Sequence, residues 1–190
     1  MAPRKKKASI ENSQFYIQYG IDIAKRRVFL DEEVDETSMG WLIRAIQLMI
    51  EHDADSHIEI YINSYGGSVY DGLALYDLLE SITTPIKTFC VGSAMSMGMI
   101  LFLAGDERFA FPRSTFMAHS LSGGTWGKQI DMETDVKESK RLNDILSQIL
   151  ADRTKKTLAW WKKKIEHLDC YINFKEAKKL GIINKEMGEE

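Results

Sequence analysis

Ser96 lies in the stretch Gly92-Ser93-Ala94-Met95-Ser96-Met97-Gly98, and His119 follows it 23 residues later. Small residues on either side let a hydroxyl stand clear where an apolar segment runs into a helix start. The first amides of a helix have no partner within it, so they are free to hold a developing oxyanion. Serine, histidine and a carboxylate are the parts of nucleophilic acyl transfer. The serine attacks, the imidazole takes its proton and returns it to the leaving amine, and the carboxylate fixes the tautomer. A second polar junction is Gly66-Gly67, after Asn63-Ser64-Tyr65. Paired glycines let a backbone N–H point into a site. The amides of Gly67 and Met97 are the candidate oxyanion donors, and removing one such donor costs about 3 kcal/mol. Spacing alone leaves three carboxylates open: Asp106, Asp131 and Asp169.

Each feature taken singly has an ordinary explanation. A glycine pair makes a tight turn, a serine before a helix is an N-cap, and a histidine ending an apolar strand is a satisfied core residue. Together they are three strand-to-loop junctions at one edge of an α/β sheet, where ligands bind.

The elements that must position them follow from the hydrophobic pattern. Arg27-Val28-Phe29-Leu30 reads as a short strand before an acidic turn, Asp31 to Asp35. A helix is expected from Thr37 or Ser38, with Leu42, Ile43, Ala45, Ile46, Met49 and Ile50 on its apolar face. A strand at 57–62, a helix at 69–81, a strand at 86–91 and a helix from about Ser96 come next. This β-α-β-α-β-α order predicts a mainly parallel sheet with crossover helices. Strand-like pieces at 108–111 and 115–119 lead, through the glycine-rich turn at 122–125, to a long helix from about Ile130 to Arg153. Its second half is amphipathic and its first half charged, as in a helix that reaches a neighbouring subunit. Two short helices close the chain, the last from Asn173 to Leu180 with Gly181 as a left-handed cap.

Bulk properties narrow the classes. The 190 residues suit one domain with a proper core. A net charge of −3 gives no reason to expect nucleic-acid or membrane partners. Residues 1 to about 13 read as a polar, disordered tail, basic at Arg4 to Lys7, and 14–190 as the single domain. Residues 88–105 carry no charge, but Gly92, Ser93, Ser96 and Gly98 interrupt them, so a buried strand running into a buried helix is expected rather than a lipid span. Cys90 and Cys170 stand apart without metal-ligand spacing, which fits a reducing cytoplasm. No metal site and no phosphate-binding loop are evident.

Four segments in order resemble the Clp protease proteolytic subunit (ClpP) family, from about Gly20 to Met187. Tyr61 to Val69 is similar to the family's glycine-pair segment, and Gly92 to Gly98 matches its nucleophile turn with Ser96 in place. Phe116-Met117-Ala118-His119 resembles the strand ending in the catalytic histidine, and Leu121 to Gly127 the glycine ribbon after it. Asp169-Cys170-Tyr171, leading to Glu176-Ala177 and Leu180-Gly181-Ile182-Ile183, resembles the segment that carries the third triad member. The resemblance implies a ClpP/crotonase-like α/β fold of repeated ββα and βα units with a protruding handle over about 120–155. It implies a serine endopeptidase with Ser96, His119 and Asp169 as triad and Gly67 and Met97 as oxyanion hole. Gly66, Ser68, Leu121 and Gly123 would then contact the substrate. Two stacked heptameric rings would enclose the sites, with unfolded polypeptide as substrate. ATP would enter only through a partner AAA+ unfoldase. Departures include Tyr65 in place of a proline, Ser120-Leu121 in place of Gln-Pro, and Cys170 and Leu168 where arginines are usual. Glu59 stands where an aromatic lines the unfoldase groove. Two other readings share features with this one: a crotonase-type acyl-CoA enzyme, which uses the same paired amides, and an inactive ring subunit or scaffold. A Ser–Lys peptidase is argued against by His119.

Overall fold

The computed structural model describes residues 16–124 and 126–187; the tail expected over 1–13 lies outside them. The strands are β1 (Ile21–Asp22), β2 (Arg27–Leu30), β3 (Ile58–Ser64), β4 (Ile86–Met95), β5 (Glu107–Ala110), β6 (Thr115–Ala118) and β7 (Cys170–Asn173). The helices are α1 (Glu36–His52), α2 (Val69–Ser81), α3 (Met97–Leu103), α4 (Gln129–Asp152), α5 (Leu158–Ile165) and α6 (Phe174–Leu180). The strands form one sheet in the order β1-β2-β3-β4-β6-β7, with β5 also paired to β4. The pairs β2–β3, β3–β4, β4–β5 and β4–β6 are parallel, as the β-α-β order requires. The outer pairs β1–β2 and β6–β7 are antiparallel.

Strand β4 organises the site because it forks. Its first half pairs with β5 at Lys87–Cys90, and its last residues, Ser93–Met95, pair with β6. Both β4 and β6 therefore end at the same edge of the sheet, where Ser96 and His119 follow them. Helix α3 leaves β4 at that point, and all seven of its residues are buried. Met97-Gly98-Met99-Ile100-Leu101-Phe102-Leu103 is apolar all round because it runs through the core, against β4, α2 and α4. The uncharged run at 88–105 is thus strand and buried helix, and no helix among the described residues is long and apolar enough to cross a membrane.

Helix α1 starts one turn position earlier than its apolar pattern indicates. Asp35 is the N-cap, and Ser38, read from sequence as a start, is the third residue of a capping box: Ser38 N–H donates to Asp35 Oδ1 (2.8 Å) and Asp35 N–H to Ser38 Oγ (3.0 Å). Helix α2 occupies 69–81 as expected, capped by Ser68, whose Oγ accepts from Asp71 N–H. In the last helix Asn173 is the cap rather than the first turn, and Gly181 closes it at φ 76°. Strands β3 and β4 run further than their sequence pattern, to Ser64 and Met95. Strands β1 and β7 have too few residues for periodicity to register, and β7 takes its partner, β6, from more than fifty residues away.

The C-terminal segment is stapled to the body by Arg108, which is buried. Its guanidinium donates to the carbonyls of Gly105, Arg153, Gly181 and Ile182. Burial, followed by the nearby charge of Arg153, pulls its pKa down to about 10.

Candidate active site

Ser96 occupies the turn between β4 and α3 with φ 50° and ψ −123°. A non-glycine residue pays about 1–3 kcal/mol for such a conformation and holds it only where the surroundings impose it. Here Ser96 N–H donates to Met117 O (2.8 Å), and Ser96 O accepts from Met99 and Ile100 N–H. Although Ser96 stands in the cap position of α3, its hydroxyl makes no capping bond. Instead Ser96 Oγ lies 2.8 Å from His119 Nε2. A hydroxyl and an imidazole at this separation can exchange a proton directly.

The glycine pair lies beside this turn. Gly66 is buried at φ 101°, and a Cβ there would come 2.7 Å from Ser96 Cβ and 2.9 Å from Met97 N. Only glycine lets the loop approach Ser96 so closely. The loop is held from the far side by Val34, through Val34 N–H to Gly66 O (2.9 Å) and Ser68 N–H to Val34 O (2.7 Å). Gly66 N–H donates to Ser64 Oγ, which in turn donates to Glu32 O. After these bonds, the amides of Gly67 and Met97 have no acceptor among the described residues.

A cleft of about 780 Å³ opens over the pair, lined by Gly67, Ser68, Ser96, His119, Leu121 and Gly123. Gly66 and Met97 do not line it; both are buried behind its wall. Ser68, expected to touch substrate, has its hydroxyl engaged as the α2 cap. A second cleft of about 490 Å³, around Arg108 and Lys155, contains no serine, cysteine or histidine.

Asp169 stands differently from its sequence expectation. It lies one residue beyond the last β6–β7 pair, Ala118–Cys170, and so across from His119 in register. Its side chain is exposed, and no hydrogen bond joins it to the His119 ring. The other two carboxylates are placed away from the pair. Asp106 Oδ2 accepts from Ile86 N–H at the far end of β4, about 30 Å of strand from Ser96. Asp131 sits exposed in the first turn of α4.

With fold and site in place, residues 10–190 match the family model described as Clp protease. The chain belongs to the Clp protease family. Residues 129–137 of α4 are exposed, and Glu138 and Ser139 are its first half-buried residues. Two of its side chains bind the loops of the site, and sequence reading had missed both. Asn143 Oδ1 accepts from Leu121 N–H (2.6 Å), fixing the segment after His119. Glu138 Oε1 accepts from Tyr70 Oη (2.8 Å), fixing the start of α2. The only trace of these ties in the sequence is the polar face of an otherwise ordinary amphipathic helix.

Proposed function

We propose that this chain is a Clp-type serine endopeptidase in which Ser96 is the nucleophile and His119 the general base. The observation that carries the proposal is the 2.8 Å separation of Ser96 Oγ and His119 Nε2 at the edge of the cleft. In the reaction, Ser96 Oγ attacks the scissile carbonyl carbon while its proton passes to His119 Nε2. The carbonyl oxygen becomes an anion held by the Gly67 and Met97 amides. Collapse of this intermediate breaks the C–N bond, and His119 gives the proton to the leaving amine. Water, deprotonated by His119, then releases the acyl group from Ser96. Asp169 is the carboxylate proposed to hold the imidazole with its proton on Nδ1, which needs its exposed side chain to turn toward His119. Gly66 serves by admitting the loop, and Leu121 and Gly123 by flanking the bound chain. The scheme uses no metal and no nucleotide in the subunit.

The finer assembly follows the family: two stacked heptameric rings, unfolded polypeptide as substrate, and ATP spent by a partner AAA+ unfoldase. Exposed Trp126, Ile130 and Val136 on and before α4 support a handle that meets another subunit. A row of stacked rings, Phe29, Tyr61, Phe89 and Phe109, with centroids 4.6–4.9 Å apart, runs across one face of the sheet. Phe29 and Tyr61 are half-buried and Phe89 and Phe109 buried, so the docking surface this reading calls for has only the first two rings to offer. Glu59 leaves that row intact because Arg27 neutralises it, with Nη2 at 2.6 Å from Glu59 Oε2. The test is mass spectrometry after a fluorophosphonate, beside Ser96→Ala. One adduct per chain, absent from the variant, is expected. A wild-type chain that takes no adduct would leave the inactive-scaffold reading in its place.

A further inference from the structure

Resting on the peptidase reading, we infer that Tyr70, Glu138 and Arg141 form a clamp that limits the size of substrate side chain the cleft accepts beside Ser96. The cleft has two walls, the segment Gly67–Tyr70 on one side and α4 on the other. The Tyr70–Glu138 hydrogen bond spans them, joining residues 68 apart in sequence. Glu138 is held by a fork from Arg141, with Nε donating to Oε2 (2.8 Å) and Nη2 to Oε1 (2.7 Å). Oε1 thus takes two donors and Oε2 one. The carboxylate is committed to the clamp and is not presented to substrate as a lone charge.

The position of the clamp gives it its effect. It stands where the exposed part of α4 ends, so it sets how far the handle can swing from the start of α2. Val69, Leu142 and Leu146 also line the cleft and supply its apolar side. The Tyr70 ring lines the same cleft while 60% exposed, and its hydroxyl is tethered. A tethered ring in the mouth of an apolar subsite admits an uncharged aliphatic side chain and obstructs an indole. Arg141 serves as a positioning residue, acting only through Glu138.

The experiment compares two fluorogenic peptides, identical except for Leu or Trp before the scissile bond, on the assembled full chain. Tyr70→Ala is expected to raise the Trp/Leu ratio of kcat/KM at least 10-fold, the scale on which a pocket reads side-chain size. Tyr70→Phe keeps the ring, loses the tether and folds as an isostere; about a 3-fold rise is expected. A ratio within 2-fold of wild type in both variants, with Ser96 still taking the fluorophosphonate, overturns the clamp alone. Failure of the wild-type chain to take the fluorophosphonate overturns the peptidase reading, and the clamp's role in specificity with it.

Discussion

Replacing Gly66 with alanine tests the central geometry, because the atoms nearest the added methyl all belong to the Ser96 turn. Its nearest neighbours would be Ser96 Cβ at 2.7 Å, Met95 O at 2.8 Å and Met97 N at 2.9 Å. Ordinary contact begins at 3.4 Å, so the Ser96 turn has to retreat by about 0.7 Å. A retreat of that size directed away from His119 would carry the 2.8 Å Ser96–His119 separation to the limit of hydrogen bonding. It would also move Met97 N–H, one of the two proposed oxyanion donors. Misplacement on this scale costs about 100-fold in rate. The φ of 101° adds backbone strain of about 1–3 kcal/mol for any residue with a Cβ. For a chain of this length that is roughly 2–12 °C in Tm. The assay is the rate of fluorophosphonate labelling followed by intact mass, with calorimetry on the same sample. Gly40→Ala in α1 is the control: its Cβ meets nothing nearer than the end of the flexible Arg44 side chain at 3.4 Å, far from Ser96, so labelling stays unchanged. Labelling of Gly66→Ala within 3-fold of wild type would refute the claim that close backbone approach builds this site.

Further tests address the pieces around it. Arg108→Met withdraws donors from four carbonyls, at about 1 kcal/mol each; urea unfolding should show a loss of about 4 kcal/mol, and a loss under 1 would show the staple to be idle. Glu138 is held at about 2 by Arg141 first and then Tyr70, against an ordinary 4.5. Because its folded value is depressed, the clamp's contribution is complete above pH 4.5 and is lost as pH falls through 2. Carbon-detected NMR titration of the Glu138 carboxyl should give a midpoint near 2, and one at 4.5 would mean no clamp in solution. Cys90 and Cys170 are both buried, and burial pushes both thiols up; a disulfide reagent at pH 8 should modify them only after denaturant is added.

The strands and helices that deliver Ser96 and His119 were readable because their pattern is local. A periodicity of two at 58–62 and of about 3.6 across 69–81 and 142–150 depends only on which face is buried. The glycine pair and the small residues round Ser96 were legible too, since close approach removes side chains and leaves that mark in composition. What the chain order alone determined is therefore the parallel sheet, its crossover helices and which residues follow the strands at the edge where Ser96 and His119 stand. Tertiary structure decided the rest. The fork of β4 brings Ser96 and His119 within 2.8 Å, Val34 holds the glycine loop from behind, and Tyr70 meets Glu138 across 68 residues. It also left Asp169 across from His119 without a bond, where the motif alone implied a closed triad. Such pairings depend on angstrom-scale distances between segments far apart in the chain, and hydrophobic periodicity carries no information about those.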